Sequence, residues 1–408
     1  MTQNSSEFSI FALGLILLTA SLVAIVSRRL KMPYSVGLVI AGIALALLPT
    51  TIDLPLSRDL IFNIFLPPLV FEAALQLEWT AFRRELPLTG LLAFLGVLIA
   101  AAFVAAGMHY AAGWTWIGAA LFGALIAATD PVSVIAAFRE MSVERRLSMI
   151  VESESLLNDG AAAVAFALLL AIVAGQSMAP AAIAASLAWT VVGGVAIGLS
   201  VAGALLLIAG RTDDHLVEIT LTTIAAYGSF LLAEHFHMSG VLATLSAGLL
   251  VGNLGMTRSI AETSHEHMIA FWEYAAFLAN SIIFILIGGH EAHQHLERVA
   301  QIAAIAIVLV LVARAISVYL LSSAFIPTSL RIDARYQHVL VWGGLRGALA
   351  LALALALPES IVERDAIVAV AFAVVAFSIF VQGLTMPWLI RKLGLTSANA
   401  TTSGSPNH

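Results

Sequence analysis

The chain has 408 residues, of which 61% are apolar and only 11% are charged, whereas soluble domains contain about 25% charged residues. Its 19 Lys and Arg and 25 Asp and Glu side chains are too few to cover a water-soluble protein of this size, so we interpret the chain as a polytopic membrane protein. The net charge of -6 argues against nucleic-acid binding, and the absence of cysteine excludes disulfides, thiolate metal sites and iron–sulfur clusters.

The apolar runs predict an all-α protein with thirteen membrane-spanning helices. The first run lacks the basic segment that precedes a typical signal peptide, and it is long enough to cross a hydrocarbon core of about 30 Å. Residues 1–388 are interpreted as one transmembrane unit, and residues 389–408 as a short disordered cytoplasmic tail. The predicted spans are 8–27, 34–50, 60–78, 88–108, 114–138, 147–173, 180–209, 215–234, 239–254, 269–289, 299–325, 337–357 and 365–388.

The distribution of positive charge predicts the orientation of these spans. With the N-terminus outside and the C-terminus in the cytoplasm, fourteen of the Lys and Arg residues fall in cytoplasmic loops. Arg58, Arg298 and Arg364 fall in external loops. This asymmetry is the one that membrane proteins show when positive residues stay inside.

Few charged residues lie at membrane depth, and each is a candidate functional residue. An ionised side chain at a helix centre costs about 2.5–3.5 kcal/mol on insertion scales. The excess of acids over bases favours a path for cations. The six residues are Glu72, Asp130, Glu154, Asp159, Arg314 and Arg346.

The fifth span contains the sequence Thr129-Asp130-Pro131. Pro131 lacks an N–H and its ring clashes with the preceding turn, so the helix is predicted to break near Thr129 and Asp130. A carboxylate beside freed carbonyl groups is a suitable site for a hard cation. The alternative is a simple proline kink with Asp130 hydrogen-bonded to it.

The sixth span carries two polar stripes. Ser155 and Asp159 are four residues apart and share one face of a helix. Glu154 and Asn158 share a second face, rotated by about 100°, which can hold Glu154 against a base on a neighbouring helix. Acids at the membrane interface are the alternative, but a long apolar run follows Asp159.

The third and twelfth spans also carry helix-disrupting residues. Pro67 and Pro68 predict a break just before Glu72. In the twelfth span, three glycines within residues 343–347 permit a non-helical backbone. Close packing of small residues would explain the glycines, but it would not explain Arg346.

The fifth and twelfth spans, both interrupted and charged, are seven spans apart. This odd offset makes them enter the membrane from opposite faces, as in an inverted repeat of spans 1–6 and 8–13. Interrupted segments in matching positions of two repeats point to the binding site of a transporter.

Four motifs occur in order along the chain, at residues 65–72, 128–134, 154–160 and 343–349. With these motifs the sequence resembles the monovalent cation:proton antiporters, in the sodium/proton exchanger branch that includes the prokaryotic NhaP proteins. The resemblance implies a core domain in which the broken helices 5 and 12 cross at mid-membrane. It also implies a second domain that forms a homodimer, with the two domains interleaved in sequence.

The resemblance further implies a Na⁺ site at mid-membrane. Asp159 and Ser155 bind the cation, the Thr129 carbonyl and Asp130 complete the shell, and Glu72 acts from nearby through water. The same resemblance implies the plasma membrane of a prokaryote, because the chain lacks the long cytoplasmic tail of the animal exchangers.

The remaining polar residues acquire supporting roles by the same resemblance. Asn158 corresponds to the Asn found in family members that are associated with electroneutral one-for-one exchange. Glu154 pairs with Arg314 in a structural ion pair. Arg346 compensates the crossing helix ends, with Asp130 as one possible partner.

The sequence therefore predicts a transporter that exchanges Na⁺ for H⁺ by alternating access, with Li⁺ as a second candidate substrate, because Asp159 can hold either one proton or one cation. No cofactor beyond these ions and no enzymatic activity is expected. A cation channel or a K⁺/H⁺ antiporter is the alternative. A sodium-coupled solute symporter would need more polar residues in the membrane, and a membrane enzyme would need a nucleophile paired with a base.

Two groups of loop histidines stand apart from these motifs, one at His265 and His267 and the other at His290, His293 and His295. We interpret them as solvated loop residues. A pH sensor and a zinc site are the alternatives.

Overall fold

The computed structural model describes residues 2–30, 32–47, 59–175, 180–211, 214–256, 260, 262–291 and 299–396. Within these ranges the chain is helical, and the only β-type pairing is an isolated antiparallel bridge between Val143 and Thr396. The predicted all-α class is therefore confirmed.

Sixteen α-helices, numbered here in chain order, are described. They are α1 (Thr2–Leu30), α2 (Tyr34–Ala46), α3 (Leu66–Gln76), α4 (Trp79–Ala112), α5 (Trp116–Leu125), α6 (Val132–Met141), α7 (Arg145–Val173), α8 (Pro180–Ala209), α9 (His215–His235), α10 (Gly240–Leu250), α11 (Glu262–Glu291), α12 (Ala300–Ser323), α13 (Ala334–Trp342), α14 (Ala348–Leu355), α15 (Arg364–Phe377) and α16 (Leu384–Leu393). Three π-helical segments adjoin α3, α10 and α16, and they are Leu60–Phe65, Val251–Gly255 and Ser378–Gly383.

Seven helical stretches in the described residues are long and apolar enough to cross a membrane. Six are single α-helices, and the seventh, Arg364–Leu393, consists of α15, a π-helical segment and α16; several shorter apolar helices accompany them. The total of thirteen spans remains a prediction. The largest differences at a helix start are those of α4 and α11. Helix α4 begins at Trp79 and α11 at Glu262, whereas their spans were predicted to begin at residues 88 and 269. Hydropathy marks only the apolar part of a helix, whereas the backbone hydrogen bonds continue through its polar first turns.

Both breaks predicted for the fifth and twelfth spans are present. Helix α5 ends at Leu125 and α6 begins at Val132, while α13 ends at Trp342 and α14 begins at Ala348. Each interruption contains the residues that disfavour a helix, a proline in the first and glycines in the second.

The break predicted at Pro67 and Pro68 is wrong. These residues occupy the first turn of α3, and the π-helical segment Leu60–Phe65 leads directly into that turn. Prolines are tolerated in a first turn, because the N–H groups there need no partner within the helix. The chain therefore passes through the double proline without leaving the helical conformation.

The helices pack mainly within two groups. One group contains α1–α3 and α8–α11, and the other contains α4–α7 and α12–α16. Contacts between the groups are fewer and involve α3, α7 and the broken helices.

Helices α2 and α11 approach each other so closely that their backbones touch. A Cβ atom on Gly42 would lie 2.1 Å from the carbonyl oxygen of Ile285, and one on Gly288 would lie 2.2 Å from that of Val39. Both positions therefore require glycine, and backbone contact rather than side-chain volume sets the separation of the two helices.

Candidate functional site

A cavity of about 110 Å³ lies where the two groups of helices meet. Its walls come from α3 and α11 on one side, and from the α5–α6 break, α7 and the start of α14 on the other. Most of the lining is apolar, and the volume has room for a few water molecules. The polar side chains at its surface are those of Glu72, Thr129, Asp130, Asp159 and Asn280.

Asp130 connects the two broken helices. Its backbone N–H donates a hydrogen bond of 2.8 Å to the carbonyl of Leu345, in the α13–α14 break. Its carboxylate accepts a hydrogen bond of 2.9 Å from the N–H of Val132, the first residue of α6. An anion is favoured at this helix N-terminus by the free N–H groups and by the helix dipole.

The second break packs directly against this carboxylate. A Cβ atom on Gly347 would lie 2.2 Å from Oδ2 of Asp130. Only glycine leaves space for the two breaks to cross at this distance, which explains why this position carries no side chain.

Arg346 lies near the C-terminal end of α5, whereas Asp130 lies at the N-terminal end of α6. Its Nη1 donates hydrogen bonds to the carbonyl oxygens of Ala127 and Ala128, at 2.7 and 2.9 Å. These carbonyls follow the C-terminus of α5, where the helix dipole favours a cation. Among the described contacts, Arg346 has no ion pair with Asp130, so the pairing that the sequence left open is not the one formed.

Asn158 ties α7 to the first break. Its amide oxygen accepts a hydrogen bond from the N–H of Thr129 (3.1 Å), and its amide nitrogen donates to Thr129 Oγ1 (2.6 Å) and to Glu154 (3.0 Å). Ser155 donates its hydroxyl to the Thr129 carbonyl. These bonds occupy the amide oxygen and both amide hydrogens of Asn158, and they fix the non-helical backbone against α7.

Glu154 is in contact with Arg314 of α12. The two guanidinium nitrogens Nη1 and Nη2 donate to the two carboxylate oxygens at 2.7 and 2.9 Å, and Nε donates to the carbonyl of Leu340 at 3.1 Å. Both side chains are buried. A bidentate ion pair of this kind neutralises the charge of the carboxylate and gives each of its oxygens a hydrogen-bond donor.

Asp159 lies on the same helix at the wall of the cavity, partly buried. No described residue donates a hydrogen bond to its carboxylate or forms an ion pair with it, in contrast to Glu154. A carboxylate without donors keeps its oxygen lone pairs available, so it can take up either a proton or a cation.

Glu72 lies on α3, and its carboxylate accepts a hydrogen bond from the side-chain amide of Gln76. The oxygen of the same amide accepts a hydrogen bond of 3.1 Å from Arg139 of α6. Gln76 therefore connects the acid at the cavity to a base on the broken helix.

The sequence matches the family described as "Sodium/hydrogen exchanger, transmembrane" over residues 16–392. The chain belongs to the sodium/hydrogen exchanger family. It is a multi-pass membrane transporter of this family, whose substrates are Na⁺ and H⁺.

Relatives of this exchanger are found in several prokaryotes. The chain is 40% identical to the low-affinity Na⁺/H⁺ antiporter NhaS1 of Synechocystis, over 97% of this chain and 76% of the relative. It is 39% identical to the Na⁺/H⁺ antiporter ApNhaP of Aphanothece halophytica, over 98% of this chain and 76% of that relative. Identity to the Na⁺/H⁺ antiporter NhaP of Pseudomonas aeruginosa is 34%, over 82% and 81% of the two chains.

The fold of the exchanger is shared with a solved structure. The sodium proton antiporter MjNhaP1 of Methanocaldococcus jannaschii superposes with a TM-score of 0.77 at 21% identity, over 100% of both chains. A second structure of the same protein gives a TM-score of 0.73, over 95% of this chain and 97% of that one. At this identity the likeness concerns the fold.

Asn280, which α11 places at the cavity, was not predicted as a site residue. The neutral candidates Thr129, Ser155 and Asn158 lie beside charged residues of the motifs, whereas no Asp, Glu, Lys or Arg lies within six residues of Asn280. A search for amide side chains in the middle of predicted spans would have found this residue. Gln76 was also missed, because it lies near the end of its span.

His265, His267 and His290 lie within α11 (Glu262–Glu291), so their prediction as loop residues is wrong. Nε2 of His265 donates a hydrogen bond of 3.3 Å to the carbonyl of Ile260, and the other two histidines form ring contacts. His267 lies beside His215 with 4.9 Å between ring centroids, and His290 stacks on Phe372 at 4.2 Å. Among the described residues no three potential metal ligands cluster. Two of the loop histidines lie outside the described residues, His293 and His295.

Proposed function

We propose that this exchanger moves one Na⁺ in exchange for one H⁺ by alternating access, and that Asp159 holds the two ions in turn. The observation that carries the proposal is the Asp159 carboxylate, which faces a cavity at the crossing of two broken helices and accepts no hydrogen bond from the described residues. Proton and cation compete for the same oxygens. Either ion neutralises the site and allows it to cross, whereas an empty charged site meets the cost of a carboxylate in the membrane.

The cation shell we propose combines the Asp159 carboxylate, the Thr129 carbonyl and the Ser155 hydroxyl. Carboxylate, carbonyl and hydroxyl oxygens are suitable ligands for a hard cation. Ser155 would turn its hydroxyl hydrogen away from Thr129 when the ion arrives. Asp130 and Glu72, which also line the cavity, contribute negative charge from nearby or through water.

The one-for-one stoichiometry is supported by the state of the other acids. Glu154 is neutralised by Arg314 at 2.7 Å, and Asn158 beside it carries no charge. Asp130 accepts a hydrogen bond at the N-terminus of α6, and Glu72 is bonded to Gln76. Asp159 is then the single carboxylate that changes its ion during the cycle.

The cellular setting is part of the same proposal. We place the exchanger in the plasma membrane as a homodimer, with its N-terminus outside and its C-terminus in the cytoplasm, because the sequence resemblance and the positive-charge distribution support this arrangement. Li⁺ is proposed as a second substrate. The transported ions are the only non-protein groups that the proposal requires, and no enzymatic step is involved.

The decisive experiment measures coupling in proteoliposomes with a pH-sensitive dye inside. An imposed Na⁺ gradient should move protons, and an imposed proton gradient should move Na⁺ uphill. Li⁺ and K⁺ tested in turn define the range of substrates, and liposomes without protein are the control. Dissipation of either gradient alone, without movement of the other ion, would identify a channel instead.

A further inference from the structure

The five polar side chains at the cavity differ in their hydrogen bonding. Three accept or donate hydrogen bonds within the protein: Glu72 with Gln76, Thr129 with Asn158 and Ser155, and Asp130 with the N–H of Val132. The other two, Asp159 and Asn280, have no hydrogen bond to any residue in the described part of the chain. Asp159 comes from the α7 wall and Asn280 from the α11 wall.

Asn280 lies well inside α11 (Glu262–Glu291), so its short side chain cannot reach either membrane surface. The neighbouring Ser281 points toward α2, where it hydrogen-bonds the hydroxyl of Tyr34 at 2.8 Å. Asn280 instead lines the cavity. Asn280 is partly buried, and its amide has no hydrogen-bond partner among the described residues, so the amide is available to an ion or a water molecule in the cavity.

We propose that Asn280 is a ligand for the transported cation, contributing its amide oxygen from the wall opposite Asp159, directly or through one water molecule. This inference rests on the proposed function of Asp159. Amide oxygens are common ligands of hard cations. The pairing gives the ion one charged ligand from one group of helices and one neutral ligand from the other.

The two competing ions should depend on Asn280 to different extents. A proton needs a single oxygen, which Asp159 supplies, whereas Na⁺ needs a shell of several oxygens. Loss of a ligand other than Asp159 should therefore weaken Na⁺ binding more than proton binding. Asn280 is in this sense a specificity-determining residue for the exchange.

The test compares Asn280→Ala with wild type in the proteoliposome assay. We expect the Na⁺ concentration for half-maximal rate to rise about tenfold, as for loss of one ligand to a charged group, with a maximal rate within about twofold of wild type. Because protons then compete more effectively, the pH of half-maximal activity at fixed Na⁺ should move to higher values. Asn280→Leu, which removes the polar atoms at similar volume, is a second removal variant.

Asn280→Asp is the rescue variant, because it keeps an oxygen ligand in the same place. At alkaline pH its half-maximal Na⁺ concentration should equal that of wild type or lie below it. If Asn280 only supported packing, both the Ala and the Asp variants would lower stability and leave the half-maximal Na⁺ concentration unchanged.

The matched control is Asn253→Ala. Asn253, in the π-helical segment Val251–Gly255, is also an amide, but it donates to the carbonyls of Leu77 and Leu249 at 2.9 Å and accepts from the N–H of Trp79 at 2.7 Å, and it does not line the cavity. This variant should lower the melting temperature in detergent without changing Na⁺ dependence. Sodium-dependent thermal stabilisation in detergent gives a second readout, and Asn280→Ala should need about tenfold more Na⁺ for the same shift.

The outcomes separate this inference from the function on which it rests. A half-maximal Na⁺ concentration within twofold of wild type in both removal variants would overturn the role of Asn280, while exchange that still depends on Asp159 would leave the proposed function intact. Exchange that does not depend on Asp159 would overturn the proposed function itself.

Discussion

Two carboxylates on α7, Glu154 and Asp159, are five residues apart and are treated in opposite ways by the fold. Glu154 is buried. It accepts hydrogen bonds from Nη1 and Nη2 of Arg314 and a third hydrogen bond from Asn158. Asp159 faces the cavity and receives no hydrogen bond from any described residue. Five residues turn the helix by about 140° between the two side chains, so one helix presents an acid to each of two different environments.

The difference separates stability from function. A buried acid whose bonding capacity is filled has no reason to exchange its partner during transport. An acid without donors is less favourable for the fold, but it is available to an ion. Substitutions at the two positions should therefore produce opposite patterns of stability and activity, and the following predictions test this contrast.

The largest expected effect is that of Asp159→Asn on transport. The amide keeps the size of the side chain but loses the charge that binds the cation and the site that takes the proton. Exchange should fall by more than about tenfold, since bonds to charged groups are worth about 1.5–3 kcal/mol. The melting temperature should stay the same or rise, because a carboxylate without donors has been removed. A rate above a tenth of wild type in the proteoliposome assay would refute the role of Asp159.

The next effect concerns Arg314→Ala, which leaves Glu154 buried without its partner. Removing one member of a buried ion pair costs about 3–5 kcal/mol, so the melting temperature in detergent should fall sharply. The double variant Arg314→Met with Glu154→Leu should recover much of this loss, because no charge is left unpaired. An unchanged melting temperature together with lost transport would place Arg314 in the ion path instead.

A smaller effect is expected for Gly347→Ala. The new Cβ would lie 2.2 Å from Oδ2 of Asp130, so the two breaks must separate or the carboxylate must rotate. Overpacking of this kind costs about 1–3 kcal/mol, and transport should slow while some exchange remains. Gly90→Ala is the control, because a Cβ there meets no atom within 4 Å. Equal rates for the two variants would show that the crossing of the breaks tolerates a methyl group.

The smallest expected effect is that of membrane potential on the wild-type rate. One proton exchanged for one Na⁺ moves no net charge, so an inside-negative potential should leave the initial rate unchanged. The potential is clamped with potassium and valinomycin in proteoliposomes, once K⁺ has been shown not to be a substrate. A several-fold change in rate would mean that a second acid, Glu72 or Asp130, carries a proton as well.

The parts of this architecture that could be predicted from sequence are those fixed by local chemistry. Pro131 and the glycines of residues 343–347 have low helix propensity, and each of the two predicted breaks forms at these residues. The spacing of Glu154 and Asn158 likewise places them on one helical face, and the structure joins them at 3.0 Å.

The remaining features depend on packing between distant segments. The double proline in α3 disrupts nothing, because a π-helical segment precedes it, and the choice between π and α hydrogen bonding is not local. Arg346 donates to carbonyls just beyond the C-terminus of α5 rather than to Asp130, since the geometry of the crossing decides its partner. Asn280 was overlooked because no charged residue of a motif lies near it in the sequence.

The backbone contact between α2 and α11 has a consequence for ion size. Gly288 lies on the same helix as Asn280, eight residues further along, which corresponds to about 12 Å at 1.5 Å per residue. A methyl group at Gly42 or Gly288 would push α11 away from α2 and shift the amide relative to the opposite wall. On the proposed role of Asn280, the width of the passage, and with it the preference for a small or a large alkali ion, would depend on this helix contact as well as on the ligands.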